Sequence, residues 1–307
     1  MKKFDVICFG SGLIDIFVYT DVHEKKKQLS YPIGSKIQIN EMDFDVGGGG
    51  VNTSTTFSRF GFKTGFLGDI GEGGLSQKIL DKIKKEKVEF MGERRGSAGY
   101  SVVLDSKEHD RTILTFKGGN DKFKVKNINF NSEWFYFSAM NGESFKSQLK
   151  IAESGKYKIA YNPSLYLFDK VNVKKIVKRC DIIILNKEEA DRLDKINSQI
   201  IEMGPKIVIV TDGKNPFYCY TKSVRYKIYP NKDVKPVERT GAGDAFASGF
   251  VGAYIKTNDI EKSIRIGVAN SESVIKYKGS TNKILTWEEA KKSIEKNSCK
   301  IESVNIR

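Results

Sequence analysis

Short apolar runs recur along most of this chain and are separated by segments of helical periodicity. The runs are rich in Ile, Val and Phe and therefore predict β-strands. They lie at residues 4–9, 64–67, 134–138, 158–161, 181–185 and 206–211. Two of them, 182–185 and 207–210, are continuously apolar, which is typical of strands that are covered on both faces.

The segments between these runs have the spacing of amphipathic helices. Leu75, Ile79 and Ile83 recur one turn apart and predict a helix that ends near Lys87. Near the end of the chain, three more helices are predicted at 243–255, 259–277 and 286–297. The alternation predicts an α/β fold, a three-layer α/β/α sandwich with a mostly parallel central sheet.

Four further apolar runs have no helix between them and predict a second, smaller sheet. They lie at 14–19, 36–39, 100–104 and 112–116, and the last two predict a hairpin. We expect insertions at about 12–45 and 97–118 to carry these strands. This sheet is either a lid over a ligand cleft or a structural side sheet. Without repeats or Pro-rich linkers, residues 1–307 are predicted to form a single domain.

Composition narrows the class of protein. Hydrophobic residues make up 39% of the 307 residues and charged residues 29%, which is ordinary for a globular protein. The short apolar start is better explained by a strand than by a signal peptide, and no run is long enough for a membrane span. We therefore expect a cytoplasmic protein without a membrane partner. The net charge of +14 is spread over the chain without a nucleic-acid motif, so specific nucleic-acid binding is not expected.

The few cysteines and histidines exclude several chemistries. The cysteines are far apart and lie mostly in apolar segments, so buried reduced thiols are expected. With only two histidines, the chain does not support a His-rich metal site or a His-dependent triad. The sequence G-x-x-x-x-G-K-[ST] is absent, which excludes a P-loop nucleotide-binding enzyme.

The segment 240–246 places glycines and an acid where an apolar helix begins. Unpaired backbone N–H groups at such a helix start can hold phosphate oxygens. Asp244 beside them can take the proton of an attacking hydroxyl. The alternative is an ordinary helix start, with Asp244 in the first turn because the helix dipole favours an acid there.

A second glycine cluster precedes a predicted helix that ends near Gly61. The run 47–50 is four glycines, which lets the backbone approach a ligand, and Asn52 offers both donors and an acceptor. Asp15 follows the first strand, where a carboxylate suits sugar hydroxyls. The alternative for the glycines is a flexible turn.

Asn186 and Glu189 follow a predicted strand and admit two interpretations. Asn186 with Glu189 three residues later is a capping pattern. Alternatively, Glu189 orients waters around a phosphate-bound magnesium ion, since Mg²⁺ commonly keeps several waters. The residues alone do not separate the two.

Taken together, these motifs resemble the ribokinase-like carbohydrate kinase family (PfkB). Residues 48–54 with Gly61 and Gly71 resemble its first signature, and residues 241–244 resemble the core of its second. Both occur in the family's order, and the resemblance covers nearly the whole chain. It implies an ATP- and Mg²⁺-dependent kinase that phosphorylates a primary hydroxyl of a sugar or sugar-like compound.

The resemblance also implies roles for individual residues. Asp244 would be the base, and the N–H groups of Gly241, Ala242 and Gly243 would form the anion hole. The residues that match acceptor-binding positions are Asp15, Gly48, Gly49 and Asn52. Those that match nucleotide-binding positions are Asn186, Thr211, Gly213 and Asn270, and Glu189 matches a position near magnesium that acts through water.

The resemblance leaves the acceptor open. A nucleoside kinase and a sugar-phosphate kinase are alternatives within the fold, and a basic binding protein without turnover is a remote one. A sugar phosphate would need cations in the pocket, for which Arg94, Arg95 and Lys36 are candidates. Glu238 stands where some members use an Asp to hold a monovalent cation, so the need for such a cation stays open. Lid strands in this family often pair between subunits, which makes a homodimer possible.

Overall fold

The computed structural model of the protein describes residues 2–26, 28–107, 111–231, 234, 237–296 and 298–306. In chain order the strands are β1 Phe4–Phe9, β2 Leu13–Tyr19, β3 Glu41–Gly47, β4 Thr64–Leu67, β5 Glu89–Phe90, β6 Gly99–Asp105, β7 Arg111–Phe116, β8 Ser132–Ser138, β9 Lys158–Asn162, β10 Ile182–Asn186, β11 Ile207–Thr211, β12 Phe217–Tyr220, β13 Val224–Tyr229 and β14 Lys300–Asn305. The helices are α1 Gly49–Arg59, α2 Gly74–Lys85, α3 Gly142–Glu153, α4 Lys174–Val177, α5 Lys187–Leu193, α6 Ala242–Thr257, α7 Ile260–Val274 and α8 Trp287–Lys296. Each strand and helix predicted from the apolar pattern is confirmed to within a few residues, except the strand expected at 36–39.

The central sheet has the order β14-β13-β12-β11-β10-β9-β8-β1-β4-β5. Seven neighbouring strands of this sheet are parallel: β11, β10, β9, β8, β1, β4 and β5. The strands β12, β13 and β14 add an antiparallel edge. Alternate residues of β1 enter two different cores: Ile7 and Phe9 pack with residues of α3 and α4, whereas Val6 and Cys8 pack with residues of α1, α6 and α7. Helices therefore cover both faces, which confirms the predicted three-layer α/β/α arrangement.

The second sheet has the order β3-β2-β6-β7. The predicted hairpin is confirmed, because β6 and β7 pair antiparallel from Tyr100 with Phe116 to Asp105 with Arg111. The strand predicted at 36–39 is wrong: those residues are irregular and exposed, and the strand is β3. The strict alternation of polar and apolar residues in β3 is the signal that identifies it.

The strand order creates a crevice between two neighbouring parallel strands. β4 is the next strand of this sheet along the chain, and it pairs with one edge of β1. β8 joins the sheet later and pairs with the other edge of β1. Ligands of open α/β sheets bind outside the carboxyl ends of strands at such a switch point. The residues at these two strand ends are the segment 10–12 after β1 and Ser138 of β8.

All four cysteines are buried free thiols, as predicted: Cys8, Cys180, Cys219 and Cys299. Burial raises the pKa of these thiols, which keeps them protonated. Within the described ranges, no helix has the length and apolarity that a bilayer crossing requires.

Candidate active site

Helix α6 begins at a glycine that no other residue can replace without strain. Gly241 has a φ of +82°, in the left-handed region, and a Cβ on it would lie 2.4 Å from the carbonyl oxygen of Ser280. The N–H of Ala242 donates to the carbonyl of Arg239 at 3.2 Å. Among the described residues, no backbone acceptor pairs with the N–H of Gly243 or of Asp244. The first turn therefore offers at least two unpaired donors. A role of Ala242 in an anion hole stays a prediction, and it would have to coexist with the bond to Arg239.

Asp244 lies at the same helix start and contacts the second glycine cluster. Its Oδ2 accepts a hydrogen bond of 2.8 Å from Nδ2 of Asn52 in α1. Removal from water raises the pKa of Asp244, while the Asn52 bond and the charge of Lys117 lower it. The carboxylate thus lies beside the unpaired N–H groups with one oxygen fixed.

The glycine cluster brings its backbone against the loop that follows β1. Gly48 has a φ of +95°, and a Cβ on it would lie 2.5 Å from the carbonyl oxygen of Ser11. That same carbonyl accepts a bond of 2.9 Å from the N–H of Gly50. A Cβ on Gly49 would lie 2.6 Å from Cβ of Ser138 and 3.7 Å from Oδ1 of Asp244. Glycine at these positions lets the backbone pack closely against Ser11 and Ser138 beside the acid.

Asp15 is in the middle of β2, directly between Asp45 of β3 and Ser101 of β6. It is buried, and its Oδ2 accepts a bond of 3.2 Å from Oγ of Ser280. Burial raises the pKa of Asp15 to about 7, with smaller increases from the charges of Asp45 and Asp244 and decreases from the bonds of Ser280 and Ser101. Additional donors, such as the hydroxyls of an acceptor, would further stabilise the charged form of this carboxylate.

Two residues of this site have no signature in the sequence. Ser280 bonds both Asp15 and Asn52, and Asn120 accepts from the N–H of Gly12 at 3.0 Å through its side-chain oxygen. Both side chains are buried and polar. Ser280 lies in an irregular segment and Asn120 in a short 3-10 helix, Gly118–Lys122, and no local pattern marks either, so only the packing of distant segments reveals them.

Lys117 follows β7 and brings a cation to the site. Its ammonium lies 5.5 Å from the ring centre of Tyr166, and it interacts with the charges of Asp121, Asp244 and Asp15. Burial lowers the pKa of Lys117, while those acids raise it. The lysine thus faces carboxylates on several sides.

The predicted nucleotide-binding residues lie at the carboxyl ends of neighbouring strands. Asn186 ends β10 and is paired in register with Thr211, which ends β11. The hydroxyl of Thr211 donates to the carbonyl of Leu185 at 3.2 Å. Gly213 lies in the next turn with a φ of +56° and open space where a Cβ would be. These residues are at the same sheet edge as the loop after β1.

The capping interpretation of Asn186 and Glu189 is confirmed. The side chain of Asn186 accepts from the N–H of Glu189 at 2.8 Å, and that of Glu189 accepts from the N–H of Asn186 at 2.9 Å. Burial raises the pKa of Glu189 to about 7, although backbone bonds from Asn186 and Leu165 oppose this. A role toward magnesium stays a prediction, and it would have to coexist with the cap.

Asn270 has a structural role in this fold. It is fully buried in α7, its Nδ2 donates to the carbonyl of Ala245 at 2.8 Å, and its Oδ1 accepts from the N–H of Leu285 at 2.9 Å. Both ends of the amide are thus engaged between α6 and the segment before α8. The predicted position near the adenine stays a prediction, and these bonds argue that any effect of Asn270 on the nucleotide is indirect.

Glu238 fixes the conformation of the segment that leads into α6. One of its oxygens accepts from the N–H groups of Arg239 and Thr240 at 2.7 and 2.8 Å and from the Thr240 hydroxyl at 2.8 Å. Nε of Arg111, in β7, lies 3.6 Å from the same oxygen. The ion pair connects the second sheet to the segment that leads into Gly241.

The arrangement joins the elements of a phosphoryl-transfer centre. Asp15, Asn52 and Asp244 belong to one hydrogen-bonded group, and unpaired N–H groups lie at the helix start beside it. Such fixed donors stabilise charge that develops on an anion, and the adjacent carboxylate can take a proton. The second sheet supplies Asp15, as the lid interpretation expects.

Comparison with known proteins agrees with this chemistry. The model of the pfkB family of carbohydrate kinases matches residues 3–287. A nucleoside kinase of Methanocaldococcus jannaschii is 26% identical over 96% of this chain and 98% of its own length. An ATP-dependent 6-phosphofructokinase of Thermoanaerobacterium thermosaccharolyticum is 24% identical over 91% of this chain and 90% of its own. A crystal structure of a Methanocaldococcus jannaschii nucleoside kinase superimposes with a TM-score of 0.82, at 22% identity over 97% of this chain and 100% of the other.

Proposed function

Because the chain belongs to the pfkB family of carbohydrate kinases, whose members transfer a phosphoryl group from ATP to a hydroxyl, we propose that Asp244 is its general base. Asp244 takes the proton of the acceptor hydroxyl while that oxygen bonds to the γ-phosphorus of ATP. The bond between this phosphorus and the bridging oxygen breaks, and ADP leaves. The observation that carries this proposal is the position of Asp244 beside unpaired N–H groups at the start of α6, with one oxygen bonded to Asn52.

The start of α6 stabilises the transferred group. In the described structure, the N–H groups of Gly243 and Asp244 have no backbone partner, and Gly241 turns the chain so that they face outward. Fixed donors of this kind act where charge develops and need no rearrangement during the reaction. The N–H of Gly241 also has no backbone partner among the described residues, so the proposed hole consists of Gly241, Gly243 and Asp244, with Ala242 contributing in addition to its bond to Arg239.

The acceptor lies between the second sheet and the glycine cluster. Asp15 accepts hydrogen bonds from the hydroxyls of the acceptor, and Asn52 donates to them. The backbone of Gly48 and Gly49 approaches the acceptor closely. Asp15 and Asp244 belong to one hydrogen-bonded group through Ser280 and Asn52, which supports a location of the reacting hydroxyl next to the base. Closure of the second sheet as a lid excludes water, which limits hydrolysis of ATP.

ATP binds at the carboxyl ends of β10 and β11, where Asn186, Thr211 and Gly213 lie. Asn270 affects the nucleotide only indirectly, through its packing against α6. Asn186 and Glu189 would hold magnesium through water molecules, with the lone pairs that the cap leaves on their side-chain oxygens. The ion, when bound to the phosphates, would neutralise part of their charge. No group of three or more acidic, His or Cys side chains suited to a metal occurs in the described ranges.

We assign no site for a monovalent cation. Glu238, which stands where some family members use an Asp for such a cation, already accepts from three donors.

The acceptor is an uncharged sugar or nucleoside rather than a sugar phosphate. Arg94 bonds Gln77 and Arg95 pairs with Glu93, so these two candidate cations are engaged outside the site, and Lys36 is exposed. Lys117 is the cation that reaches Asp15 and Asp244, and those acids already balance it. The relatives include enzymes named for both acceptor types, so this choice rests on the charges of the site.

Residues 1–307 act as one kinase domain, in the cytoplasm, without nucleic acid or membrane as a partner.

The outer face of the lid supports a homodimer. Met42, Phe44, Leu114 and Phe116 share that face and are each about half exposed. Sedimentation of wild type and Phe44→Lys tests this: a dimer that the substitution dissociates supports the interface, and a monomeric wild type contradicts it.

The experiment that tests the function is a coupled assay of ADP release. Purified protein is offered ATP and Mg²⁺ with D-ribose, D-fructose, fructose 6-phosphate, adenosine or cytidine, and Asp244→Asn is run beside it. Acceptor-dependent ADP release that the variant lacks supports the proposal. A higher kcat/KM for fructose 6-phosphate than for every uncharged acceptor contradicts the acceptor class, and near-normal turnover of Asp244→Asn contradicts the base.

A further inference from the structure

Ser280 lies in the segment between α7 and α8, far in sequence from the rest of the site. It is fully buried, and its Oγ is 3.2 Å from Oδ2 of Asp15 and 3.3 Å from Oδ1 of Asn52. One hydroxyl proton is therefore shared between two acceptors. The residue touches both a side chain of the second sheet and a side chain of α1.

The surrounding glycines show that this segment is packed tightly against the site. A Cβ on Gly47 would lie 2.9 Å from Oγ of Ser280 and 1.9 Å from Oδ2 of Asp15. A Cβ on Gly241 would lie 2.4 Å from the carbonyl oxygen of Ser280. Ser280 is thus held between the glycine cluster and the start of α6, so its hydroxyl has little freedom to move away.

The contact with Asn52 fixes the direction of the Asn52 amide. Its oxygen accepts from Ser280, so its nitrogen points to Asp244 and donates the bond of 2.8 Å. With the opposite orientation, the amide oxygen would face the Asp244 carboxylate and repel it. A continuous chain of side-chain bonds therefore runs from Asp15 through Ser280 and Asn52 to Asp244.

We propose that Ser280 is a positioning residue that couples the acceptor-binding carboxylate Asp15 to the base Asp244 through Asn52. When an acceptor hydroxyl donates to Asp15, the Ser280 hydroxyl keeps its proton and directs its hydrogen bond to Asn52, and the amide is then locked in the orientation that holds Asp244. The base is thereby best oriented when the acceptor is present. This inference rests on the proposed roles of Asp15 and Asp244.

The charges around Asp15 give the coupling a measurable signature. Asp15 faces Asp45 from β3, Asp244 from α6 and Lys117 from the end of β7, and it also bonds Ser101 of β6. The two acids raise the pKa of Asp15, and the Ser280 bond lowers it. Loss of the Ser280 hydroxyl is expected to raise that pKa further. The pKa of Asp244 is expected to rise as well, because the Asn52 amide that lowers it becomes free to turn.

The first test is titration of Ser280→Ala by carbon NMR of protein labelled at aspartate carboxyls. The signals are assigned with Asp15→Asn and Asp244→Asn. We expect the Asp15 midpoint to move upward by about one pH unit, the size expected of one hydrogen bond to a carboxylate, and the Asp244 midpoint to move in the same direction. The matched control is Ser273→Ala, because Ser273 anchors the same segment through a bond of 2.7 Å to the carbonyl of Lys283 without reaching Asp15.

The second test is kinetic, with adenosine and D-fructose as acceptors. Ser280→Ala is expected to lower kcat and to raise the acceptor KM about tenfold at pH 7 while the KM of ATP stays unchanged. Ser280→Cys keeps the size and supplies a weaker donor, so its midpoints and KM should fall between wild type and alanine.

The outcomes separate this inference from the proposed function. Unshifted midpoints in Ser280→Ala, or equal shifts in Ser273→Ala, overturn the coupling even if the enzyme is a kinase. A shift of Asp15 without a shift of Asp244 overturns the link through Asn52. If ADP release is absent with every acceptor, the proposed function fails, while the titration still decides whether the four side chains are coupled.

Discussion

Nδ2 of Asn52 donates a hydrogen bond of 2.8 Å to Oδ2 of Asp244, across 192 residues of sequence. The two residues lie in the first turns of α1 and α6, which both follow glycines with positive φ. Through this bond the glycine cluster and the start of α6 form one site. Four substitutions test the residues that meet there and Glu189 in α5, the helix after β10.

Asp244→Asn removes the proposed base while keeping the size and shape of the side chain. We expect kcat to fall by about 10² to 10⁴, the contribution typical of general acid–base catalysis, while ATP binding measured by calorimetry changes little. Asp259→Asn is the control, since Asp259 caps the next helix and asparagine caps equally well. A loss of kcat of the same size in the control would mean that the effect is structural.

Asn52→Ala leaves Asp244 without its side-chain donor. That bond lowers the pKa of Asp244, so its loss raises the pKa and more of the base is protonated at a given pH. We expect the acidic limb of the kcat–pH profile to move to higher pH than in wild type. The measurement is kcat at saturating acceptor between pH 5 and 9, and an unmoved or lowered limb contradicts the prediction.

Gly241→Ala tests the entry to α6. The alanine would have a φ near +82° and a Cβ 2.4 Å from a carbonyl oxygen, so we expect a loss of about 2 to 4 kcal/mol in the free energy of unfolding, together with a loss of turnover. Gly213→Ala is the matched control, because it also has a positive φ but meets nothing within 4 Å. It should lose about 1 kcal/mol. Equal losses in urea denaturation would show that packing against Ser280 contributes nothing.

Glu189→Gln tests a buried acid whose pKa is raised. The folded-state pKa of about 7 lies above the ordinary value of 4.5, so the folded state binds more protons than the unfolded state between these values. The contribution of Glu189 to the free energy of unfolding is therefore fully present below about pH 4.5 and decreases as the pH rises to about 7. We expect wild type to lose up to about 3 kcal/mol more than Glu189→Gln over this interval, measured by denaturation at several pH values. Parallel pH dependences of the two proteins would rule out this titration.

Much of the fold follows from local patterns. The continuous apolar runs of β10 and β11 predict strands that are covered on both faces, because such strands bury every side chain. The hairpin of β6 and β7 and the helix start at Gly241 are equally local features. The strand expected at 36–39 is wrong because β3, two residues farther along the chain, has the cleaner alternation of polar and apolar residues and pairs with β2.

The layered fold, the glycine clusters and the acid at the start of α6 follow from the sequence, since each depends on residues that are neighbours in the chain. Three further features are visible only in the folded structure: Asn52 bonds Asp244, Ser280 joins Asp15 to Asn52, and Asn270 is fully engaged in packing. These contacts connect segments that are distant in sequence, so no local periodicity predicts the partner of each polar side chain. A hydrogen bond depends on position and direction in space, and the packing of the two sheets and the helices sets both.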